Sequence, residues 1–289
     1  MTCSNLIECV TLPMQFGFMQ RGLMAAILIS IVCAFIGAFV VLQDLAFIGD
    51  ALAHASFPGA VVSYMLGLNV AIGGAIAGIL TALGIGFVVR RSKVSQDTAI
   101  GVLFAGTFAL GVALLSTVKN YTKDLFGLLL GDVLAIQDSD LWLIFVMGLI
   151  VIVTIIALYK ELTLLTFDRV QAEVIGLPIH VLQELLLALM AITIVIAVQT
   201  VGIVLVVAMI TTPAATAAQL VRRFPLVILV AAIQGVFGAV LGLYLSFYLN
   251  IASGATVVLV LTALFGLSLL AAPVRRAIAR RTVQRGLAT

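Results

Sequence analysis

The stretch Gly49-Asp50-Ala51-Leu52-Ala53-His54-Ala55-Ser56-Phe57-Pro58-Gly59 places a carboxylate and an imidazole four residues apart in a largely apolar sequence. If this stretch is helical, Asp50 and His54 lie on the same face, one turn apart. The small residues around them allow a second helix to approach closely. A charged side chain at the centre of a bilayer costs about 2.5–3.5 kcal/mol on insertion scales, so an Asp–His pair inside a membrane helix predicts a functional site.

The composition of the chain is typical of a membrane protein. Of its 289 residues, 64% are hydrophobic and 9% are charged, whereas soluble domains average about 45–50% apolar and about 25% charged residues. The net charge is +3, and the basic residues lie in short runs between apolar segments. This distribution is typical of loops that flank membrane spans, and it argues against a nucleic-acid partner.

Apolar segments of membrane-spanning length recur along the whole chain. A crossing needs about 20 mainly apolar residues, and the segments that meet this length are 18–42, 45–66, 70–89, 98–118, 141–159, 180–198, 201–220, 225–250 and 256–272. The sequence therefore predicts an all-α bundle of eight to nine spans, with residues 1–289 forming a single transmembrane domain. A shorter apolar piece, 125–136, predicts a re-entrant or interfacial helix.

The distribution of Lys and Arg predicts the orientation. With the N-terminus outside and nine crossings, 12 of the 15 basic residues face the cytoplasm, including those of the tail 275–289, and such an excess marks cytoplasmic loops. His54 then lies about 15 Å into the second span, near the bilayer midplane, where transporters bind substrate on interrupted helices. Pro58 removes a backbone hydrogen bond beside it and favours a kink. We therefore expect a multi-pass transport protein.

The interval 166–178 is the longest polar stretch that this orientation places in the cytoplasm. Asp168 suits an N-cap, Gly176 a helix end and Pro178 the start of the next helix. The pattern predicts a short helix lying against the membrane. Such a helix is either a solvated loop element or a docking site for a cytoplasmic subunit.

Three further polar or helix-breaking positions each have two interpretations. Asp132 is an interfacial acid or helix cap, or part of a site. Pro213 interrupts the seventh span and predicts a packing kink or a gating hinge. His180, at the start of a span, needs no ligand role. Glycine pairs with GxxxG spacing predict close packing within the chain or across a dimer, and these are Gly74/Gly78, Gly127/Gly131 and Gly238/Gly242.

Several motifs of enzymes are absent from the sequence. There is no GxxxxGK[ST] loop, no HExxH and no GxSxG, so we expect neither a nucleotide-hydrolysing site of that kind nor an enzyme. We also expect no permanently bound cofactor. The cysteines Cys3, Cys9 and Cys33 have no CxxC spacing, and whether Cys3 and Cys9 pair is left open.

Six blocks of the sequence carry a family resemblance. They are Gly-Asp-Ala-Leu-Ala-His-Ala-Ser-Phe-Pro-Gly at 49–59, and the blocks at 125–132, 167–178, 213–217, 225–249 and 253–259. In this order, and over nearly the whole chain, they resemble the membrane permease of bacterial ABC importers for manganese, zinc or iron. The block at 49–59 is the specific one.

The resemblance implies a homodimer of two permease copies in the lipid of the plasma (inner) membrane. Two cytoplasmic ATP-binding cassette subunits would dock below it, and an extracytoplasmic metal-binding protein would dock outside. Asp50 and His54 match the family's metal-translocation positions, contributed by both copies. The segment 167–178 matches the family's coupling helix. The residues expected to couple it to the ATPase are Phe167, Asp168, Glu173 and Gly176.

The expected function is therefore the import of a divalent transition metal ion, powered by ATP hydrolysis on a separate subunit. Carboxylate and imidazole ligands suit Mn²⁺, Zn²⁺ and Fe²⁺, and we expect Mn²⁺ or Zn²⁺ before Fe²⁺ without a choice between the first two. Two alternatives stay open. One is a stand-alone carrier in which Asp50 and His54 relay protons, and the other is a permease for a metal chelate of the siderophore type.

Overall fold

A computed structural model gives the fold, and it describes residues 11–92, 94–117 and 136–286. The cysteines Cys3 and Cys9, the acid Asp132 and residues 125–135 of the predicted interfacial helix lie outside the described residues. Within the described ranges the chain is helical and contains no strand. The predicted all-α class is confirmed.

The apolar segments form helices, because the backbone polar groups of a segment inside a bilayer must find hydrogen-bond partners within that segment. They are α1 (Gly17–Leu42), α2 (Ala46–Ala55), α3 (Phe57–Met65), α4 (Val70–Arg91), α5 (Gln96–Ser116), α6 (Asp138–Ala157), α7 (Tyr159–Phe167), α8 (Arg169–Val174), α9 (Ile179–Val201), α10 (Ile203–Leu220), α11 (Phe224–Leu249) and α12 (Ser253–Gly286).

Eight of these helices, among the described residues, are long and apolar enough to cross a membrane. They are α1, α4, α5, α6, α9, α10, α11 and α12, and they correspond to eight of the nine segments expected from the sequence. The last one does not end where its apolar segment ends. It continues through the basic tail to Gly286.

The remaining expected segment, 45–66, is interrupted and forms the two short helices α2 and α3. Ser56 lies between them with φ −70° and ψ −22°, so the backbone stays in the helical region. The Ser56 hydroxyl donates to the carbonyl of Ala53 at 2.7 Å, and Pro58 has no N–H to continue the hydrogen-bond ladder. The sequence predicts a single span over this segment with a kink beside Pro58, and the structure divides the span into two helices just before that residue.

The core of the bundle surrounds α1, which packs against α6, α10 and α11. Its inner side chains include Ile29 and Phe39, which are 2% and 0% exposed. By contrast, α5 and α6 keep many apolar side chains on the outside, such as Val102 and Trp142. Apolar surface of this extent is covered by lipid or by another chain.

Glycines set the closest helix contacts. Gly59 on α3 and Gly73 on α4 lie so close that a Cβ on either would overlap the backbone carbonyl of the other. A Cβ on Gly242 of α11 would lie 2.5 Å from Cα of Val257 on α12. The GxxxG pair that includes Gly242 thus packs helices within one chain, as the sequence allowed.

Candidate functional site

Asp50 and His54 lie on one face of α2, as their spacing predicts. Oδ1 of Asp50 and Nε2 of His54 are 3.7 Å apart, which is within ion-pair range but beyond a hydrogen bond. The Asp50 side chain is 54% exposed and that of His54 is 27% exposed. The two groups therefore face the same open space without neutralising each other through a direct hydrogen bond.

Two aromatic rings of α5 fix the imidazole. Phe104 and Phe108 meet His54 with ring centroids 5.5 and 5.4 Å apart, both edge-on. Nδ1 of His54 is buried and has no hydrogen-bond partner among the described groups. The ring therefore presents Nε2 on the side of Asp50 and encloses its other nitrogen, which leaves Nε2 as the atom that can act on a ligand.

Asp50 and His54 line a cavity of about 380 Å³. The other lining residues are Phe108 of α5 and, from the first turns of α10, Ile203, Val204 and Val207. Gly202 is the only residue between α9 and α10, and its φ of 81° is a conformation that side chains disfavour. This tight connection starts α10 beside α2, so that one carboxylate and one imidazole face an apolar wall.

The ligand set of this cavity is incomplete within one chain. No group of three or more His, Cys, Asp or Glu side chains that could hold a metal ion occurs among the described residues. A carboxylate and an imidazole are ligands that Mn²⁺, Zn²⁺ and Fe²⁺ share. The pair alone could bind such an ion only weakly, which is a property that release during transport requires.

The polar interval forms the short helix α8 and its caps. Oδ1 of Asp168 accepts a hydrogen bond from the backbone N–H of Gln171 at 2.8 Å, which confirms the expected N-cap. Gly176 ends the helix with φ 84°, and its N–H donates to the carbonyl of Glu173 at 3.0 Å. This ending is the one that a glycine after a helix predicts.

The exposed surface of this segment mixes apolar and polar side chains. The exposed large apolar ones are Phe167 (61%), Val170 (73%), Val174 (82%) and Ile175 (62%), and the exposed polar ones are Asp168, Arg169, Gln171 and Glu173. Ala172 is buried and holds the helix against the rest of the chain. The exposed apolar side chains fit a docking surface and the exposed polar ones fit a solvated loop, the two interpretations that the sequence left open.

The amino-acid sequence matches a known transport family. The match to the ABC 3 transport family covers residues 15–272. The chain belongs to this family.

Several curated relatives of this ABC 3 chain are manganese transport proteins by name, and one is a probable iron transport system membrane protein of Haemophilus influenzae, 35% identical with 91% of this chain and 97% of the relative covered. The manganese transport system membrane protein MntC of Halalkalibacterium halodurans is 44% identical over 270 residues, which cover 93% of this chain and 92% of MntC. The manganese import system permease protein ScaB of Streptococcus gordonii is 37% identical, with 92% of this chain and 96% of ScaB covered.

A solved structure has the same fold as this ABC 3 chain. PsaBC from Streptococcus pneumoniae, determined in complex with Fab, matches with a TM-score of 0.85 and 34% identity. The match covers 96% of this chain and 100% of the other. The family resemblance expected from the sequence is confirmed, and the ABC 3 chain is a multi-pass membrane protein of an ABC transport system.

The structure brings together some of the residues predicted from the sequence and separates others. Asp50 and His54 share one cavity, whereas Pro213 lies within α10 but does not line that cavity. Pro213 is buried inside the helix, and a Cβ on Gly235 of α11 would lie 3.7 Å from its Cγ. This contact fits the expected packing role of Pro213.

Sequence reasoning missed the aromatic and apolar walls of the cavity. Phe104 and Phe108 are one helical turn apart, so their shared face on α5 was visible in the sequence. Nothing in the sequence indicated that this face meets α2. Ile203, Val204 and Val207 carried no signal beyond being apolar.

Proposed function

We propose that this chain is the membrane permease subunit of an ABC importer that carries Mn²⁺ into the cytoplasm, and that Asp50 and His54 form the ion's transit site. The observation that carries the proposal is the exposure of both side chains to one cavity between α2, α5 and α10. Family membership supports the transport class. The names of the relatives favour Mn²⁺ over Zn²⁺, a choice that the ligand types alone leave open.

The transit site needs more ligands than one chain provides, and a second permease copy would supply them. Asp50 is 54% exposed, and its neighbours Phe47 and Val204 are 78% and 66% exposed. Two copies that meet across this face would bring together two carboxylates and two imidazoles. Four such ligands, completed by water, are a suitable shell for Mn²⁺.

The energy would come from a separate ATP-binding cassette subunit docked on α8. The exposed apolar side chains of this segment support docking, and Phe167, Asp168, Glu173 and Gly176 are the coupling residues in this proposal. The sequence has no phosphate-binding loop of its own. An extracytoplasmic metal-binding protein would deliver the ion at the opposite side.

The proposed setting is the plasma (inner) membrane, with the N-terminus outside and the C-terminus in the cytoplasm. The kinked pair α2–α3, Ala46 to Met65, is long enough to cross once, at about 30 Å. Together with the eight longer helices this makes nine crossings. In this arrangement α8 and the basic end of α12 lie on the cytoplasmic side, as the excess of Lys and Arg favours.

The deciding experiment measures uptake of radioactive Mn²⁺ by cells that express the chain together with its ATPase and its binding protein. We expect His54→Ala and Asp50→Ala each to abolish uptake while the chain still copurifies with the ATPase. The control is Asp97→Asn, which removes an exposed carboxylate from the first turn of α5 and should leave uptake unchanged.

Two outcomes would contradict the proposal. Uptake at the wild-type rate in either Ala variant would remove Asp50 and His54 from the transit site. Uptake that persists without ATP and follows the proton gradient would instead identify a stand-alone secondary carrier.

A further inference from the structure

A second cavity lies between the end of α4 and the start of α9, next to the first residues of α5 and α8. Its volume is about 410 Å³. The lining residues are Ile85, Gly86, Val89, Arg90, Gln96, Arg169, His180, Gln183, Glu184 and Leu187. None of them belongs to the cavity of Asp50 and His54, so the two spaces have separate linings.

The polar part of this cavity is positively charged overall. Arg90 of α4 forms an ion pair with Glu184 of α9. Arg169, the first residue of α8, has no carboxylate partner among the residues that the structure describes. Two guanidinium groups therefore face one carboxylate, and the imidazole of His180 and the amide of Gln183 add hydrogen-bonding groups.

This donor set favours an anion over a metal ion. A guanidinium group offers a planar fork of N–H donors that matches phosphate oxygens, and it has no lone pair to give to a metal. Among the residues that the structure describes, Glu184 is the only carboxylate that lines the cavity, and Arg90 already engages it. A phosphate group in the cavity could form an ion pair with the Arg169 guanidinium.

The other wall of the cavity is apolar and adjoins the outer surface of the bundle. Ile85 and Leu187 are 1% and 3% exposed, whereas Phe87 and Val181, which follow the lining residues Gly86 and His180, are 53% and 61% exposed. The cavity also lies at one end of two membrane-spanning helices, where α4 finishes with Arg90 and Arg91 and where α9 begins. Basic pockets between spans at a membrane boundary bind the head groups of anionic lipids.

We propose that this cavity binds a phosphate-bearing anion, held by Arg90 and Arg169, and that the phosphate belongs to the head group of an anionic lipid. Glu184 positions the Arg90 guanidinium, while the apolar wall contacts the acyl chains of the lipid. The cavity borders α8, so an occupied site would brace the segment that the proposed ATPase contacts. The lipid site goes beyond the proposed metal transport and can be tested independently of it.

The test is native mass spectrometry of the purified full chain in detergent with added phosphatidylglycerol or phosphatidylcholine. We expect the wild type to retain phosphatidylglycerol in preference to phosphatidylcholine. The variant Arg90→Gln/Arg169→Gln should lose this preference by at least about tenfold, because a hydrogen bond to a charged group exceeds that factor. Arg90→Lys/Arg169→Lys keeps both charges and should retain most of the preference.

The matched control is Arg222→Gln/Arg223→Gln, which removes two exposed arginines between α10 and α11 that do not line the cavity. It should bind phosphatidylglycerol as the wild type does. The melting temperature and the elution volume of each variant are measured beside those of the wild type, and only variants that match it in both are compared.

Competition with inorganic phosphate distinguishes a lipid head group from free phosphate as the source of the bound anion. If millimolar phosphate displaces phosphatidylglycerol from the wild type, the phosphate chemistry is supported. If phosphate binds through both arginines but phosphatidylglycerol is retained no better than phosphatidylcholine, the head-group assignment is overturned. Equal phosphatidylglycerol retention by the wild type and the Gln variant would overturn the site altogether.

Discussion

His54 lies edge-on to Phe108, with ring centroids 5.4 Å apart and ring planes at 83°. The contact joins α2 to α5 and holds the imidazole in the orientation that presents Nε2 to the cavity. A ligand that must bind and release an ion quickly benefits from such a fixed orientation, because no rotamer freedom is lost when the ion arrives.

Substitution of Phe108 should weaken the proposed metal site without removing either Asp50 or His54. Phe108→Leu keeps an apolar side chain but loses the flat ring beside His54. We expect the KM for Mn²⁺ uptake to rise about tenfold, the lower end of the effect seen when groups that orient a metal ligand are replaced. Phe145→Leu, at an exposed phenylalanine of α6, is the control, and a KM for Phe108→Leu equal to that of this control would contradict the orienting role.

The proposed dimer face can be tested by cross-linking. Val204 is 66% exposed and lines the cavity of Asp50 and His54. In a background without the natural cysteines, Val204→Cys should form disulfide-linked dimers in membranes treated with a mild oxidant. Val153→Cys is matched in residue type and is 55% exposed on α6, and it should stay monomeric on a gel. Cross-linking by Val153→Cys alone would place the interface on α6 instead.

If the ATPase docks on α8 as proposed, a charge introduced at the C-terminal end of α8 should strongly reduce transport. Val174 is 82% exposed and apolar. Val174→Glu should uncouple the complex, because burying an unpaired carboxylate in an apolar interface is costly. We expect both Mn²⁺ uptake and copurified ATPase to fall at least severalfold.

The control for this prediction is Leu68→Glu. Leu68 is exposed and apolar, and it lies between α3 and α4, at the opposite end of α4 from Arg90. Its association with the ATPase should match that of the wild type. Normal ATPase association in Val174→Glu would show that the subunit does not contact this residue.

The contact between Gly59 and Gly73 should be sensitive to a single methyl group. A Cβ on Gly73 would overlap the carbonyl of Gly59 and the hydroxyl of Ser63, and forced overlap in a packed core costs about 1–3 kcal/mol. Gly73→Ala should therefore lower the melting temperature of the purified protein. Gly106→Ala on α5, where a Cβ meets nothing within 4 Å, should not lower it. Equal melting temperatures for the two variants would count against the close α3–α4 contact.

The sequence predicted features within a helix well, but it did not predict which helices pack against one another. The shared face of Asp50 and His54, the cap at Asp168 and the helix end at Gly176 each depend on residues within one or two turns, and all three are present. The position of the break at Ser56 was missed, because Pro58 marks a missing hydrogen bond without fixing where the helix divides.

The walls of the cavity were beyond prediction for a physical reason. Helices such as α5 and α10 are apolar over most of their surface, so they lack the polar and apolar faces that reveal which side meets a partner in a soluble protein. Lipid is as apolar as a leucine side chain, and the composition of a membrane helix therefore does not separate its lipid side from its buried side.

The single residue between α9 and α10 has a mechanical consequence. Gly202 is the whole connection between α9, the helix that follows α8, and α10, whose first turns line the cavity of Asp50 and His54. A longer linker would absorb a shift of α9, whereas a one-residue joint passes it on to Ile203 and Val204. A displacement that begins at α8, where the ATPase is proposed to dock, would therefore reach the wall of the cavity of Asp50 and His54 through a single residue.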